Sequence, residues 1–386
     1  MTAERQDRWR LAWVSPYDPE QQRGGWQGMS YGLLSALRRQ RPSLDVVAPV
    51  PCGRDPAAKW RSRLLTLATG RRLVWNCSNR CLAGTSDAFH AMASGVRPDA
   101  FLFFGGADFL GTFPDRPFSC YVDSAFVPFL EFYAAERRYA SRELKRLEAL
   151  EREWLSRCAY VFASSRFAGD IITSRYSIPP DRVVCVKAGP VFGGVVERPA
   201  TSDRQRSVLF IGADFYRKGG DMAVEAVGIA RRVIPELTLD VLGETPPDRY
   251  RREYVRIHGW VDRVAADGAA KFDRLMRSSS LFLSLSRADL TPTAICEACV
   301  YGLPTLSCAV GGIPEMIADG KSGWLVPANA TPELVAHRLV EALSDPARLA
   351  ACGLAAREQY DLEWNWDAAA GKILSRLDSD AGLRTG

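Results

Sequence analysis

The sequence predicts an α/β protein made of two doubly wound parallel-sheet domains facing across a cleft. Three observations predict it. Short apolar runs alternate with segments of helical period along both halves of the chain. A stretch of Gly, Pro, Ser and charge, FGGVVERPATSDRQR (Phe192 to Arg206), divides the halves and has linker composition. Each half opens on a strand, a Gly-containing loop and a helix, the first turn of a parallel α/β sheet. The chain's 386 residues suffice for two domains of ordinary size. The expected divisions are a first domain over 1–190, a linker over 191–206, a second domain over 207–360 and a closing helix over 361–386.

In the first half, RLAWVSP (Arg10 to Pro16) reads as a strand, and YDPEQQRGGWQG leads into a helix whose Leu33, Leu34 and Leu37 repeat at helical spacing. Gly24 and Gly25 in that loop open backbone amides to a ligand, or simply form a surface turn. LDVVAPV is the next strand. The stretch from Lys59 to Trp75 mixes Trp60, Leu64, Leu65 and Leu67 with Arg61, Arg63, Arg71 and Arg72. Helical spacing would separate these into apolar and basic faces, as in a membrane-surface helix and equally in a helix packed on its own sheet. DAFLFFGG and FSCYVDSAF are two further strands. Asp123 ends the second of them, either meeting a ligand or capping the next turn. Glu131 to Cys158 reads as one long charged helix with i,i+4 pairs such as Glu148 with Arg152, a solvated scaffold face. AYVFASS and RVVCVKAGP complete the strands of this half.

In the second half, SVLFIG leads to a loop ending in Arg217, Lys218, Gly219 and Gly220. Two cations beside a helix N-terminus suit an anion, lysine as a point charge and arginine as a fork. VRIHGWVD is a short strand and turn. LFLSLS is a buried parallel strand, followed by a turn from Asp289 to Thr293 and a helix running to Tyr301. Gly302 and Pro304 stop that helix before LPTLSC, and a Gly311-Gly312 loop precedes IPEMIAD. Asp289 and Glu297, with seven residues between them, thus lie beyond the carboxyl end of a strand, where open α/β sheets bind ligands. The free N–H groups at that helix start suit a diphosphate.

Composition narrows the function classes. Apolar residues make up 47%, no apolar run spans a bilayer, and MTAERQDRWR lacks a signal-peptide core, so the cytoplasm is the expected compartment. A net charge of +5 suits an anionic ligand or membrane face but is no nucleic-acid signature. The ten cysteines follow no framework spacing. Cys296 and Cys299 form a lone C-x-x-C without the second pair that a structural zinc needs, so packing is expected there and no metal site.

An acid, seven residues and a Glu, then a small residue, Gly-x-Pro, a strand and Gly-Gly-x-Pro-Glu together resemble the donor-site block of GT-B glycosyltransferases of family GT4. The resemblance covers nearly the whole chain and is most specific from Ser207 to Pro327. This chain has Asp289 where the family usually has Glu, Thr291-Pro292-Thr293 where it has Phe-Gly-Leu, and Ala213 where it has an Arg that Arg217 would replace. Pro292 also removes one N–H from the phosphate-facing turn.

The resemblance implies two Rossmann-like domains, with the closing helix crossing back to the first. It implies a retaining transfer of sugar from a nucleoside diphosphate sugar, a UDP- or GDP-sugar, to a hydroxyl on a glycan, a lipid-linked glycan or a small molecule. Asp123, Asp289, Lys218 and Arg217 would carry catalysis. Gly24, Gly25, Gly212, Trp260, Val261, Pro292, Thr293, Ala294 and Glu297 would bind the donor, Glu297 through the ribose hydroxyls and Trp260 with Val261 beside the base. No cofactor and no metal are expected, since the only Asp-x-Asp is Asp378–Asp380 in the tail. Contact with the inner face of the plasma membrane would run through 59–75, and no nucleic acid is involved. A nucleotide-sugar-binding protein without turnover, an epimerase and a phosphorylase share these motifs.

Overall fold

A computed structural model describes residues 9–21, 24–133, 138–192 and 206–384, with side chains to 380. Most of the expected linker, 193–205, lies outside the described residues. Contacts divide the chain into a unit of Met1–Gln22, Trp26–Lys187 and Asp367–Gly386 and a unit of Arg23–Gly25 and Ala188–Trp366.

The first unit carries six parallel strands: β1 (Leu11–Val14), β2 (Asp45–Val47), β3 (Ala100–Phe104), β4 (Phe118–Val122), β5 (Val161–Ala163) and β6 (Val183–Cys185). Their order is β2-β1-β3-β4-β5-β6, so the winding reverses between β1 and β3. β1, β3, β4 and β5 are nearly or wholly buried along their length, which is why they read as continuous apolar runs. Six helices connect them: α1 (Gly25–Gln40), α2 (Pro56–Thr69), α3 (Asn79–Ala93), α4 (Phe126–Tyr133), α5 (Ser141–Arg157) and α6 (Arg166–Tyr176).

Two helical expectations change. The stretch from Glu131 to Cys158 is not one helix: Glu131 to Tyr133 end α4, and α5 starts at Ser141. Tyr139 forms a parallel bridge with Arg72, and Ala140 N donates to the Arg72 carbonyl at 3.0 Å, an extended pairing that a helix cannot make. Nor is α5 solvated all round, because Leu147, Glu151, Trp154 and Leu155 are buried. The basic stretch from Lys59 is helical only to Thr69, where Gly70 takes a left-handed φ of 70° and its N–H caps the Thr66 carbonyl.

The second unit repeats the architecture with β7 (Ser207–Gly212), β8 (Thr238–Gly243), β9 (Val255–Gly259), β10 (Leu281–Ser284), β11 (Thr305–Cys308) and β12 (Gly323–Val326), in the order β12-β11-β10-β7-β8-β9. All pairs are parallel, and the winding reverses between β7 and β10. Its helices are α7 (Gly220–Ala230), α8 (Ala266–Ser278), α9 (Thr293–Val300), α10 (Ile313–Met316), α11 (Pro332–Ser344) and α12 (Pro346–Leu362). Cys296 and Cys299 are buried on α9, and Cys296 Sγ donates to the Ala188 carbonyl at 3.9 Å. The last helix, α13 (Trp366–Arg384), belongs from Asp367 onward to the first unit, where Arg39 donates to Asp367 at 2.7 Å and Arg41 pairs with Asp378. Among the described residues, no helix is long and apolar enough to cross a membrane.

Candidate functional site

In the second unit the reversal point lies between β7 and β10, and the loops after both strands are laced together there. Arg217 receives the N–H of Arg287 on its carbonyl at 2.8 Å, and its guanidinium donates to the Ala288 carbonyl at 3.0 Å. Gly219 caps α7 at a φ of 78°, and a Cβ there would strike the Leu285 carbonyl. A Cβ on Gly311, at 55°, would likewise strike the Asp289 carbonyl, so the loops after β7 and β11 each close on the loop after β10 only because these glycines are bare.

This closure brings Lys218 to Asp289. The ammonium donates to Asp289 Oδ2, which also accepts from Ser286 Oγ at 3.1 Å. Asp289 is only 4% exposed, and Lys218 keeps a fifth of its side chain in solvent. The pair sits beside the start of α9. Pro292 is the N-cap there and supplies no side-chain hydrogen bond to the first turn, and Thr293 and Ala294 are half-buried at its opening. No side chain caps the N–H groups of that first turn, and Lys218 is tied through Asp289 to the loop that leads into it.

Glu297, one turn along α9, is 1% exposed. Its Oε1 accepts the N–H of Phe192 at 3.2 Å, and its Oε2 accepts from Arg263 Nη1 at 2.7 Å. The Arg263 guanidinium lies 4.1 Å from the Phe192 ring centre and 4.7 Å from that of Phe272. Arg263 was not singled out from the sequence, although it follows Val261 by two residues in the turn after β9. Val261 is half-buried, Trp260 is 70% exposed and Gly212 ends β7 in the core.

The first unit has a cavity of about 380 Å³ at its own reversal point, above β1 and β3. Asp123, following β4, lines it, and Tyr17, Asp108 and Ser124 line it as well. Asp108 follows β3 in the sequence GGAD, a signal of small residues before an acid at a strand end. Burial raises its carboxyl above the ordinary range, opposed by a hydrogen bond from Cys52, whose thiol burial pushes up to about 11. Burial also raises the Tyr17 phenol, and the charges of Asp108, Cys52 and Asp123 add to it. Glu151 closes the floor, accepting the N–H groups of Phe126 and Val127, the latter at 3.1 Å, and bonding the Tyr176 hydroxyl. Its burial raises its carboxyl despite those bonds. Gly24 and Gly25 stand exposed at the start of α1, Gly25 with a φ of 64°.

Residues 196–359 match the family described as glycosyl transferases group 1. A GDP-mannose-dependent alpha-(1-6)-phosphatidylinositol monomannoside mannosyltransferase of Mycobacterium tuberculosis is 29% identical over 178 residues, 44% of this chain and 46% of that protein. The chain thus matches about half the length of that curated relative. A sucrose-phosphate synthase from Thermosynechococcus elongatus superposes with a TM-score of 0.67 at 17% identity, covering 97% of this chain and 100% of that one. Anabaena HepE in complex with UDP gives 0.64 at 15% identity, covering 96% and 100%. Two six-stranded parallel sheets and these superpositions give the chain the GT-B fold, and residues 196–359 are similar to the glycosyl transferases group 1 family.

Proposed function

We propose that the chain transfers a sugar from a nucleoside diphosphate sugar to an acceptor hydroxyl with retention of configuration and without a metal ion. The observation that carries this reading is the convergence of Lys218, Asp289 and the uncapped start of α9 at the reversal point of the second unit. A departing diphosphate gains charge at its bridging oxygen, and fixed cations and N–H groups stabilise that charge more in the transition state than in the ground state. An ammonium has three donors; Asp289 takes one and aims the others. Arg217 braces the two loops and adds a second positive charge. Glu297 binds the ribose diol once Arg263 yields, with Val261 and the exposed Trp260 beside the base, and Gly212 leaves room at the end of β7. The donor is a UDP- or GDP-sugar: HepE was solved with UDP, and the mycobacterial relative is named for GDP-mannose.

The acceptor, a glycan, a lipid-linked glycan or a small molecule, binds the first unit at the cavity bearing Asp123, and Gly24 and Gly25 offer backbone amides to the donor. The Asp-x-Asp in the tail is occupied in packing, since Asp378 accepts from Trp9 Nε1 at 2.8 Å and pairs with Arg41. Contact with the inner face of the plasma membrane runs through α2. Trp60, Leu64 and Leu67 are 61%, 63% and 85% exposed there, beside a groove lined by Lys59, Arg63 and Arg72. The reading is tested by incubating the purified chain with UDP- and GDP-sugars and a hydroxyl acceptor in EDTA, and assigning the product anomer by NMR. An α-linked donor yielding an α-linked product supports it. An inverted product, or transfer that Mn²⁺ or Mg²⁺ must restore, overturns the mechanism. Donor conversion without an acceptor points to an epimerase.

A further inference from the structure

The cavity of the first unit has a chemistry of its own. Its walls carry the rings of Trp26, Phe126 and Phe129, the carboxyls of Asp108, Asp123 and Glu151, and the hydroxyls of Tyr17 and Ser124. No Arg, Lys or His lines it among the described residues. Arg146 on α5 and Arg175 on α6 have carboxylate partners of their own. Arg146 holds Glu143 and the Cys77 carbonyl at 3.0 and 2.7 Å, and Arg175 holds Glu131 and Glu148.

Ser124 points to a missing partner. It is 7% exposed, lines the cavity, and its Oγ is buried with no hydrogen-bond partner. A buried hydroxyl in that condition is unfavourable, and a ligand offering a polar hydrogen or a lone pair relieves it. The Trp26 ring centre lies 4.4 Å from that of Phe104, tilted by 36°, and stacks on Tyr121 at 6.3 Å, so its ring is held in place by the sheet. Held aromatic faces with convergent oxygen atoms suit the C–H and O–H surfaces of a sugar ring. At about 380 Å³ the cavity is near the lower end of small-molecule sites, room for one ring or two.

We propose that this cavity is the acceptor subsite and that it takes an uncharged, hydroxyl-bearing ring, an unphosphorylated sugar or cyclic polyol, and rejects phosphorylated ones. The assignment of the ligand as acceptor rests on the transfer reading above. A phosphate needs arginine, lysine or several N–H groups, whereas this cavity would set it against carboxyls of the same sign. A neutral ring donates its hydroxyls to Asp123 and exchanges hydrogen bonds with Ser124.

The test uses the full chain and titrates methyl hexopyranosides, inositol and the corresponding hexose 6-phosphates, followed by Trp fluorescence and saturation-transfer NMR. A neutral ring should bind in the millimolar range and at least about tenfold tighter than any phosphate ester. Ser124→Ala should weaken it by roughly five- to tenfold, and Asp108→Lys should turn the preference toward the phosphate ester. Binding of nucleoside diphosphate to each variant reports that it is folded. The proposal is overturned if a phosphate ester binds as tightly as its neutral counterpart. It is also overturned if no neutral ring binds, or if sugar transfer proceeds unchanged in both variants, an outcome that leaves the transfer reading standing. Neutral rings binding as described with no transfer to any acceptor would instead sink the transfer reading and leave the subsite.

Discussion

Arg263 Nη1 lies 2.7 Å from Glu297 Oε2, so the carboxylate assigned to the ribose is already held by a cation from the turn after β9. Glu297 is 1% exposed, and the Arg263 side chain 20%. Under the proposed transfer reading, a ribose reaches Glu297 when Arg263 moves into the solvent it already touches.

This relationship separates two substitutions. Glu297→Ala should weaken nucleoside diphosphate binding by roughly ten- to a hundredfold, the value of about 1.5–3 kcal/mol for a hydrogen bond to a charged group. Arg263→Ala should leave that affinity equal or improved, because it removes the competitor. Its free form should lose stability instead, toward the low end of the about 3–5 kcal/mol typical for a broken buried pair, and the nucleotide should restore more of its Tm than in the parent chain. Calorimetry and thermal melts decide it. Equal losses of affinity in both variants would mean that Arg263 contacts the nucleotide itself.

Asp289 and Lys218 should also part company. Lys218→Ala removes a charge aimed at the diphosphate and should cost roughly tenfold or more in nucleoside diphosphate affinity. Asp289→Ala leaves the ammonium in place and should change that affinity by less than about threefold, while lowering kcat because Lys218 is no longer aimed. Affinity measured with the diphosphate alone, beside kcat for transfer, checks both. A large affinity loss in Asp289→Ala would place Asp289 on the nucleotide.

Glu151 makes a pH prediction. Its folded-state pKa is raised, so the folded chain binds a proton that the unfolded chain releases near the ordinary carboxyl value of 4.5. Its contribution to stability is full below that value and declines as pH rises toward the raised folded pKa. Glu151→Gln removes the titration and keeps one carbonyl oxygen for the Phe126 and Val127 N–H groups, which in the parent bond different oxygens. Urea melts from about pH 5 to 7 should therefore fall less in midpoint for Glu151→Gln than for the parent. Parallel pH profiles for the two chains would show that Glu151 does not titrate in this window.

The exposed face of α2 should bind vesicles rich in anionic lipid more than neutral ones. Each basic residue at the surface adds about 1 kcal/mol. Leu67→Ser combined with Trp60→Ser should reduce co-sedimentation without changing Tm, since both side chains are mostly exposed. Equal binding to anionic and neutral vesicles removes the membrane assignment.

Sequence alone determined the elements and their order, because parallel strands buried on both faces must be continuous apolar runs and their loops must carry Gly, Pro and polar residues. LFLSLS, SVLFIG and FSCYVDSAF were legible for that reason, and Asp123, Lys218 and Asp289 were legible as ends of such strands. Periodicity could not show that Tyr139 pairs with Arg72 and breaks the helical run, or that Glu151 is buried beneath Phe126, since both depend on partners distant in sequence. Only the tertiary structure decided the pairings. Lys218 meets Asp289 because β7 and β10 are neighbours at the reversal point, and Arg263 meets Glu297 because the turn after β9 reaches α9. A charge's partner is set by which strand ends the sheet order brings together, and that order is a property of the packed chain, not of any local window of residues.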